Sequence, residues 1–191
     1  MVKNTLNKDG LIDLNNAEDV LDRKLRVRDW EQELAIRMML EIGCTVPELL
    51  SIRYENIKLK ENLTKNYWAF HIGDSDSKRE AYVPDELLTE IHKYASERNI
   101  QDDEAYIQHS EDTVRGWVSE LCEEIAEETG EDRWNQISAS DLKKSWLNYQ
   151  LNDKDRDLHV IKYLGGCTNP ELDPYLDKPD PKKIAEVMIS D

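Results

Sequence analysis

The hydrophobic pattern of this chain changes its period near the middle, and that change limits the folds available. Residues 54–60, 67–73 and 79–83 are short runs rich in aromatic and β-branched side chains, which is typical of strands. The turn-forming segment Gly73–Ser77 separates the last two runs and suits an antiparallel hairpin. On both sides of this region, apolar residues recur every three to four positions, as in amphipathic helices. The order predicts a mainly helical α+β domain with a small three-stranded antiparallel sheet.

The helical segments carry start and stop residues. Asp29 is placed to cap one helix, and Pro84 to open another. Ser110 and Gly130 flank a long third helix with a single apolar stripe. The acidic run Glu123–Asp132 at the end of this helix is interpreted as a solvated face. These signals predict where the helices begin and end.

The chain of 191 residues is long enough for one domain with a real core. Residues 1–13 are polar and are expected to form a flexible lead-in. A single domain is predicted for 14–191, within which 177–191 form a C-terminal tail and helix. Pro179 and Pro181 separate that helix from what precedes it.

The net charge of −16 is unusual for a protein that holds nucleic acid, because phosphate contacts need Lys and Arg. Three interpretations stay open: the basic residues gather on one face, DNA is not held tightly, or the surface is adapted to high salt. In the last case repulsion is screened to within ~3 Å at 1 M salt.

The cysteines give no sign of a disulfide framework or a zinc site. Cys44, Cys122 and Cys167 are an odd number without CxxC spacing. The four histidines are scattered, so no metal and no cofactor are expected. No signal-peptide core and no window of 18 apolar residues is present. The expectation is a cytoplasmic protein with no membrane contact.

The most informative stretch ends at Tyr175. Ser140–Ser145 reads SDLKKS, Leu164–Gly166 reads LGG, and Tyr175 follows Gly166 by nine residues. This layout resembles the C-terminal signature of the tyrosine recombinases, or phage integrases. In that family one helix opens His-Asp-Leu-Arg-His/Arg-Ser/Thr, a second ends in Leu-Gly-His, and the nucleophilic tyrosine follows at the same spacing.

A second point of resemblance lies near the beginning of the chain. Gly43–Leu49 reads GCTVPEL where the family has Gly-Leu-Arg-Ile-Ser-Glu-Leu, and Ile52–Ile57 reads IRYENI where it has Leu-x-Trp-x-Asp-Ile. The resemblance spans roughly residues 15–180 and implies a recombinase catalytic-domain fold. Matching positions are Gly43, Glu48, Leu49, Arg53 and Ile57.

The resemblance also implies which catalytic positions are degenerate. In the family, two arginines hold the scissile phosphate while a lysine and histidines move protons. Tyr175 alone keeps its residue type, and losing the arginine pair should cost several kcal/mol of transition-state stabilisation. Very weak or absent turnover is expected. Thr45 replaces the first arginine, Ser140 the first histidine, Lys143 the second arginine and Gly166 the final His/Trp, while Lys78 stands two residues from the usual lysine.

Simpler interpretations of the same residues stay open. Tyr175 could be a retained nucleophile or a ring that anchors a turn between two prolines. Lys143 and Lys144 could bind phosphate or lie on the solvated face of a helix capped by Ser138. The cations ending the first helix could touch DNA or complement that helix's C-terminus. The candidate DNA-binding residues are Arg23, Lys24, Arg26, Arg28, Arg53, Lys78, Lys143 and Lys144.

Three functional hypotheses follow. The first is a degenerate integrase-like protein of a mobile element or plasmid, which binds duplex DNA or assembles through its C-terminal helix without efficient cleavage. The second is an acidic protein-interaction module on the same fold with no DNA binding. The third is a weakly active DNA breaking and rejoining enzyme that uses Tyr175.

Overall fold

The computed structural model describes residues 6–7, 9–15, 20–61, 64–73 and 79–176. The predicted C-terminal tail and helix at 177–191, and Lys78 in the hairpin, lie outside these residues. No helix in the described ranges is long and apolar enough to cross a membrane.

The described architecture is mainly helical with one small sheet, which confirms the predicted fold class. The strands are β1 (Ile57–Lys60), β2 (Tyr67–Ile72) and β3 (Arg79–Val83), in the order β1-β2-β3 and antiparallel throughout. The helices are α1 (Val20–Arg26), α2 (Trp30–Ile42), α3 (Val46–Ser51), α4 (Asp85–Arg98), α5 (Glu111–Thr129), α6 (Ala139–Asn148), α7 (Leu158–Gly165) and α8 (Asn169–Leu172).

The helix ends lie where the sequence placed them. The Asp29 carboxylate accepts a hydrogen bond from the Glu31 N–H at 3.0 Å and caps α2. Ser110 accepts one from the Thr113 N–H at 3.2 Å and caps α5. Gly43 and Gly130 end α2 and α5 with left-handed backbones, at φ of 70° and 71°. These local signals therefore determine the ends of both helices.

The described part of the N-terminal segment is packed, although we expected a flexible lead-in. Leu6 and Ile12 pair across a turn and are both buried, with exposed fractions of 5% and 1%. The Ile12 N–H donates to the Ser145 hydroxyl of α6 at 3.0 Å. Two apolar side chains in a polar stretch are enough to attach it, because each removes its surface from water.

Two apolar clusters form the interior. The larger one gathers buried side chains from α1 to α5, the sheet and the start of α6. The smaller one belongs to the C-terminal part and consists of Trp146, Leu147, Leu151, Ile161, Cys167 and Leu172. Trp146 lies against Gly43 at the end of α2, so this indole joins the two clusters.

Replacing Gly43 with Ala should destabilise the fold much more than replacing Gly130 with Ala. Both glycines have the same backbone conformation, so both substitutions incur the left-handed penalty of about 1 kcal/mol. A Cβ at Gly43 would lie under 3.0 Å from three atoms of the Trp146 ring, whereas one at Gly130 meets nothing within 4 Å. Overpacking should add about 2 kcal/mol for Gly43→Ala alone. Urea unfolding of both variants measures the difference, and equal losses would contradict this account.

Candidate functional site

The candidate site lies where the N-terminus of α3, the start of β3, the face of α6 and the end of α7 converge. Its central residue is Arg79, the first residue of β3, whose side chain is only 5% exposed. In β3 the inward positions alternate as Arg79, Ala81 and Val83. Strand periodicity thus directs this charged side chain into the interior beside two apolar ones.

The Arg79 guanidinium connects three elements of the fold. Its Nε donates to Glu48 Oε1 at 2.8 Å and its Nη2 to Glu48 Oε2 at 3.0 Å, a bidentate ion pair with α3. Nη2 also donates to the Gly43 carbonyl at 3.0 Å, and Nη1 donates to the Leu164 carbonyl of α7. Four of the five guanidinium N–H groups are therefore used within the protein.

Glu48 receives donors from two further residues. The Thr45 N–H donates to its Oε2 at 2.7 Å, while Thr45 Oγ1 accepts from the Glu48 N–H at 3.4 Å, which makes a capping box at α3. Lys143 Nζ lies 3.7 Å from the same Oε2. Burial alone would raise the pKa of Glu48, but Arg79, the Thr45 N–H and Lys143 outweigh it and lower that pKa below its usual value. The carboxylate is ionised at neutral pH.

Gly166 is fitted to this arrangement. It follows α7 with a left-handed backbone at φ 61°, and a Cβ there would run into Cδ of Arg79. The place where the family resemblance expects a histidine or tryptophan is thus filled by the Arg79 side chain. Any larger residue at 166 would have to displace a guanidinium held by Glu48 and two carbonyls.

Tyr175 lies in a single 3-10 turn, Asp173–Tyr175, after α8. Its ring is half-buried and packs against the smaller apolar cluster. Burial raises the pKa of its phenol to about 12, with smaller contributions from the charge of Asp141 and from Cys167. The hydroxyl therefore stays protonated at neutral pH, as does the buried Cys44 thiol, whose pKa burial raises to about 12.

The candidate residues Ser140 and Lys144 of α6 make hydrogen bonds near the N-terminus of that helix. The Asp141 carboxylate accepts from the Ser138 N–H at 2.9 Å, which confirms the capping box read from the sequence. Ser140 Oγ lies 2.9 Å from Ser138 Oγ, and Lys144 Nζ donates to Asp141 Oδ1 at 2.7 Å. Ser140 and Lys144 thus make local contacts, whereas Lys143 reaches the centre.

Each cation of the basic cluster at the end of α1 has a carboxylate within ion-pair distance, although Nε and Nη2 of Arg28 make no hydrogen bond. Two of its partner carboxylates belong to α5, so the acidic run expected to be a solvated face is partly used in holding α1. The pairs are Arg23–Glu128, Lys24–Glu128 at 3.1 Å, Arg26–Asp22 at 2.8 Å and Arg28–Glu124 at 2.7 Å.

The Arg53 side chain donates hydrogen bonds to two backbone carbonyls. Its Nε donates to the Asp103 carbonyl at 3.0 Å and its Nη1 to the Ser51 carbonyl at 2.7 Å. The candidate cations therefore fall into three local settings, at the α1–α5 contact, beside the loop that contains Asp103, and on α6.

The sequence analysis did not identify Arg79 as a site residue, and it identified Glu48 only as a position that matches the family pattern. A usable signal existed, because the alternation of Ala81 and Val83 places Arg79 on the same inward face of β3. A charged residue on that face needs a buried partner. Among the described residues, no group of His, Cys, Asp and Glu could hold a metal ion.

Comparison with known proteins finds similarity in structure. No protein-family model matches the sequence, and no curated protein does. Solved structures match with TM-scores of 0.60–0.65 and 12–15% identity, over 88–98% of this chain. The chain spans about half to two thirds of their length, 52–63%.

Three of these structures are an integrase and two recombinases. The Tn1549 transposon integrase in complex with transposon right end DNA has a TM-score of 0.63 at 13% identity, covering 88% of this chain and 62% of that one. The XerH site-specific recombinase bound to its difH substrate has a TM-score of 0.65 at 15% sequence identity, covering 91% of this chain and 52% of that one. The XerA recombinase has a TM-score of 0.60 at 12% sequence identity, covering 98% of this chain and 63% of that one.

The loss of unfolding free energy caused by Gly166→Ala should depend strongly on whether Arg79 is present. In the native protein the new methyl collides with the pinned Arg79 side chain, whereas in an Arg79→Ala background that side chain is gone. The left-handed penalty is the same in both backgrounds and cancels in a double-mutant cycle. We expect a coupling of about 1 kcal/mol or more from urea unfolding of the four proteins. Additive effects would mean that Arg79 moves aside at no cost.

Tyr175 should make stability depend on pH in the alkaline range. Its pKa is about 12 in the folded protein and ~10 in the unfolded chain, so folding favours the protonated phenol. This contribution is complete below about pH 10 and is lost as the pH rises towards 12. The stability difference between the native protein and Tyr175→Phe should therefore change between pH 10 and 12, as measured by urea unfolding. The other tyrosines are common to both proteins and cancel, and a constant difference would refute the shift.

Proposed function

We propose that this chain, which has the fold of a tyrosine recombinase catalytic domain, is a DNA-binding or assembly factor related to DNA recombination and integration, without efficient strand cleavage. The observation that carries the proposal is the convergence of the signature positions in space. Thr45, Lys143 and Gly166 come from different parts of the chain and all contact the Glu48–Arg79 pair. This proximity of three signature positions, with residue types other than those the resemblance implies, supports the proposal.

The inefficiency in cleavage follows from the state of the two groups that cleavage would need. A tyrosine that attacks a phosphodiester must lose its proton, and the pKa of Tyr175 is raised to about 12. The transition state needs guanidinium groups free to hold phosphate oxygens. Arg79 directs its donors at Glu48, Gly43 and Leu164, so it has almost none to offer.

The proposed DNA contact is therefore weak and local. The structures of the Tn1549 integrase and XerH contain DNA. Here α6, which carries Lys143 and Lys144, is the element that we propose to face a phosphate backbone. Lys144 is half-exposed, and Lys143 is 17% exposed. Most of the other candidate cations are paired within the protein, and the net charge of −16 opposes approach of DNA. Binding should be appreciable only at low salt.

A protein-interaction role is the second candidate, and one observation favours it. A groove of about 1120 Å³ opens between α1, α2, α7 and the sheet, with Leu40, Trp146 and Leu164 among its apolar lining. Tyr82 and Tyr163 also line it and are exposed. Exposed apolar surface of this kind is typical of interaction sites. Assembly of protomers through the C-terminal helix predicted within 177–191 belongs to the first proposal, and that segment lies outside the described residues.

The first test is a duplex DNA titration across salt concentrations. The double substitution Lys143→Ala/Lys144→Ala should weaken binding and lower the salt slope by about one for each lysine lost. The control is Lys93→Ala/Arg115→Ala, which changes net charge equally on α4 and α5 and should behave as the native protein. Absence of binding at low salt would instead favour the protein-interaction role.

Residual catalysis has its own test. Duplex DNA incubated with native protein or Tyr175→Phe should show the same background level of strand breaks, since the phenol is protonated and Arg79 is held by Glu48 and two carbonyls. Covalent protein–DNA adducts that disappear in Tyr175→Phe would support the third hypothesis, a weakly active breaking and rejoining enzyme.

A further inference from the structure

The Glu48 carboxylate is bound in the manner of a captured anion. A guanidinium fork approaches it edge-on at 2.8 and 3.0 Å, the Thr45 N–H donates to it at 2.7 Å, and Lys143 Nζ lies at 3.7 Å. Arginine forks, lysines and backbone N–H groups are the donors that hold phosphate oxygens in proteins. The donors for an external oxyanion are therefore assembled, and a side chain of the protein occupies them.

We infer that the centre is an oxyanion site held shut by its own residue: the Glu48 carboxylate occupies the position that a phosphate group would take between Arg79, Lys143 and the Thr45 N–H. This inference goes beyond the proposed function and does not require that the protein bind DNA. It concerns a contact inside one chain, which is present before any ligand arrives.

The charges of Arg79 and Lys143 stabilise the Glu48 carboxylate in this position. Arg79 and Lys143 carry two positive charges, and Glu48 supplies the one negative charge in hydrogen-bonding contact with the guanidinium. Because the Arg79 side chain is 5% exposed, removing Glu48 would leave a buried cation without its partner. Asp141 is occupied elsewhere, with Ser138 and Lys144. A site opened in this way would bind an anion from solution.

The ionisation state of the Glu48 carboxylate is consistent with a site that it occupies itself. The pKa of Glu48 is lowered despite the opposing effect of burial, so its charge persists through the neutral range. The nearby thiols of Cys44 and Cys167 have pKa values raised by burial and stay uncharged. Glu171 also interacts with Lys143, but its carboxylate accepts hydrogen bonds from Thr168. Within the described residues, Glu48 is the carboxylate that is hydrogen-bonded to Arg79.

The test is anion rescue in two variants. Glu48→Ala leaves a vacancy of carboxylate size, and Glu48→Ser leaves nearly the same vacancy with a small polar side chain in place of the carboxylate. Each variant is titrated with inorganic phosphate while its melting temperature is followed, beside sodium chloride at matched ionic strength. We expect a rise of roughly 3 °C at phosphate concentrations tenfold above the dissociation constant, and beyond that a further rise with the logarithm of the phosphate concentration. Adding Lys143→Ala should weaken this phosphate affinity several-fold.

The controls separate a specific site from a general response to salt. Glu90→Ala removes the same charge from a surface pair with Arg37, which keeps Glu41 as a second partner. This control and the native protein should respond to phosphate no more than to chloride. An equal phosphate-specific response in the native protein would overturn the inference, because the site would then be open. So would the lack of a phosphate effect in Glu48→Ser, whether or not Glu48→Ala folds.

Discussion

The buried pair between Arg79 and Glu48 is the contact on which the centre of this protein depends. A buried ion pair is tolerable only when its remaining donors are satisfied, because both ions lose their hydration. Here the carbonyls of Gly43 and Leu164 complete the set. Since these groups belong to α2, α3, β3 and α7, the pair also joins the C-terminal part of the chain to the larger core.

The glycine at position 166 is a consequence of that pair. The Arg79 side chain crosses the space that a side chain at 166 would need, and the left-handed backbone there favours glycine. Thr45 has a corresponding role, since it caps α3 and presents its N–H to Glu48. Thr45, Lys143 and Gly166 thus fit together around the pair of Arg79 and Glu48.

The distribution of charge bears on what this fold can bind. A recombinase fold supplies geometry, whereas function depends on the groups displayed on it. The cations that end α1 are paired with Glu124 and Glu128 of α5 or, for Arg26, with Asp22. With a net charge of −16, little positive potential remains for phosphate. The same acidity leaves the apolar groove beside α7 as a candidate surface for a protein partner.

The sequence by itself determined the elements and their order, because helix caps, glycine ends and strand alternation act over a few residues. Asp29, Ser110 and Gly130 are examples. The tertiary structure decided what the candidate site contains. Arg79 lies 31 residues from Glu48 and 85 from Leu164, and no local pattern encodes which carboxylate a buried guanidinium will meet. That choice is made when the helices and the sheet pack together.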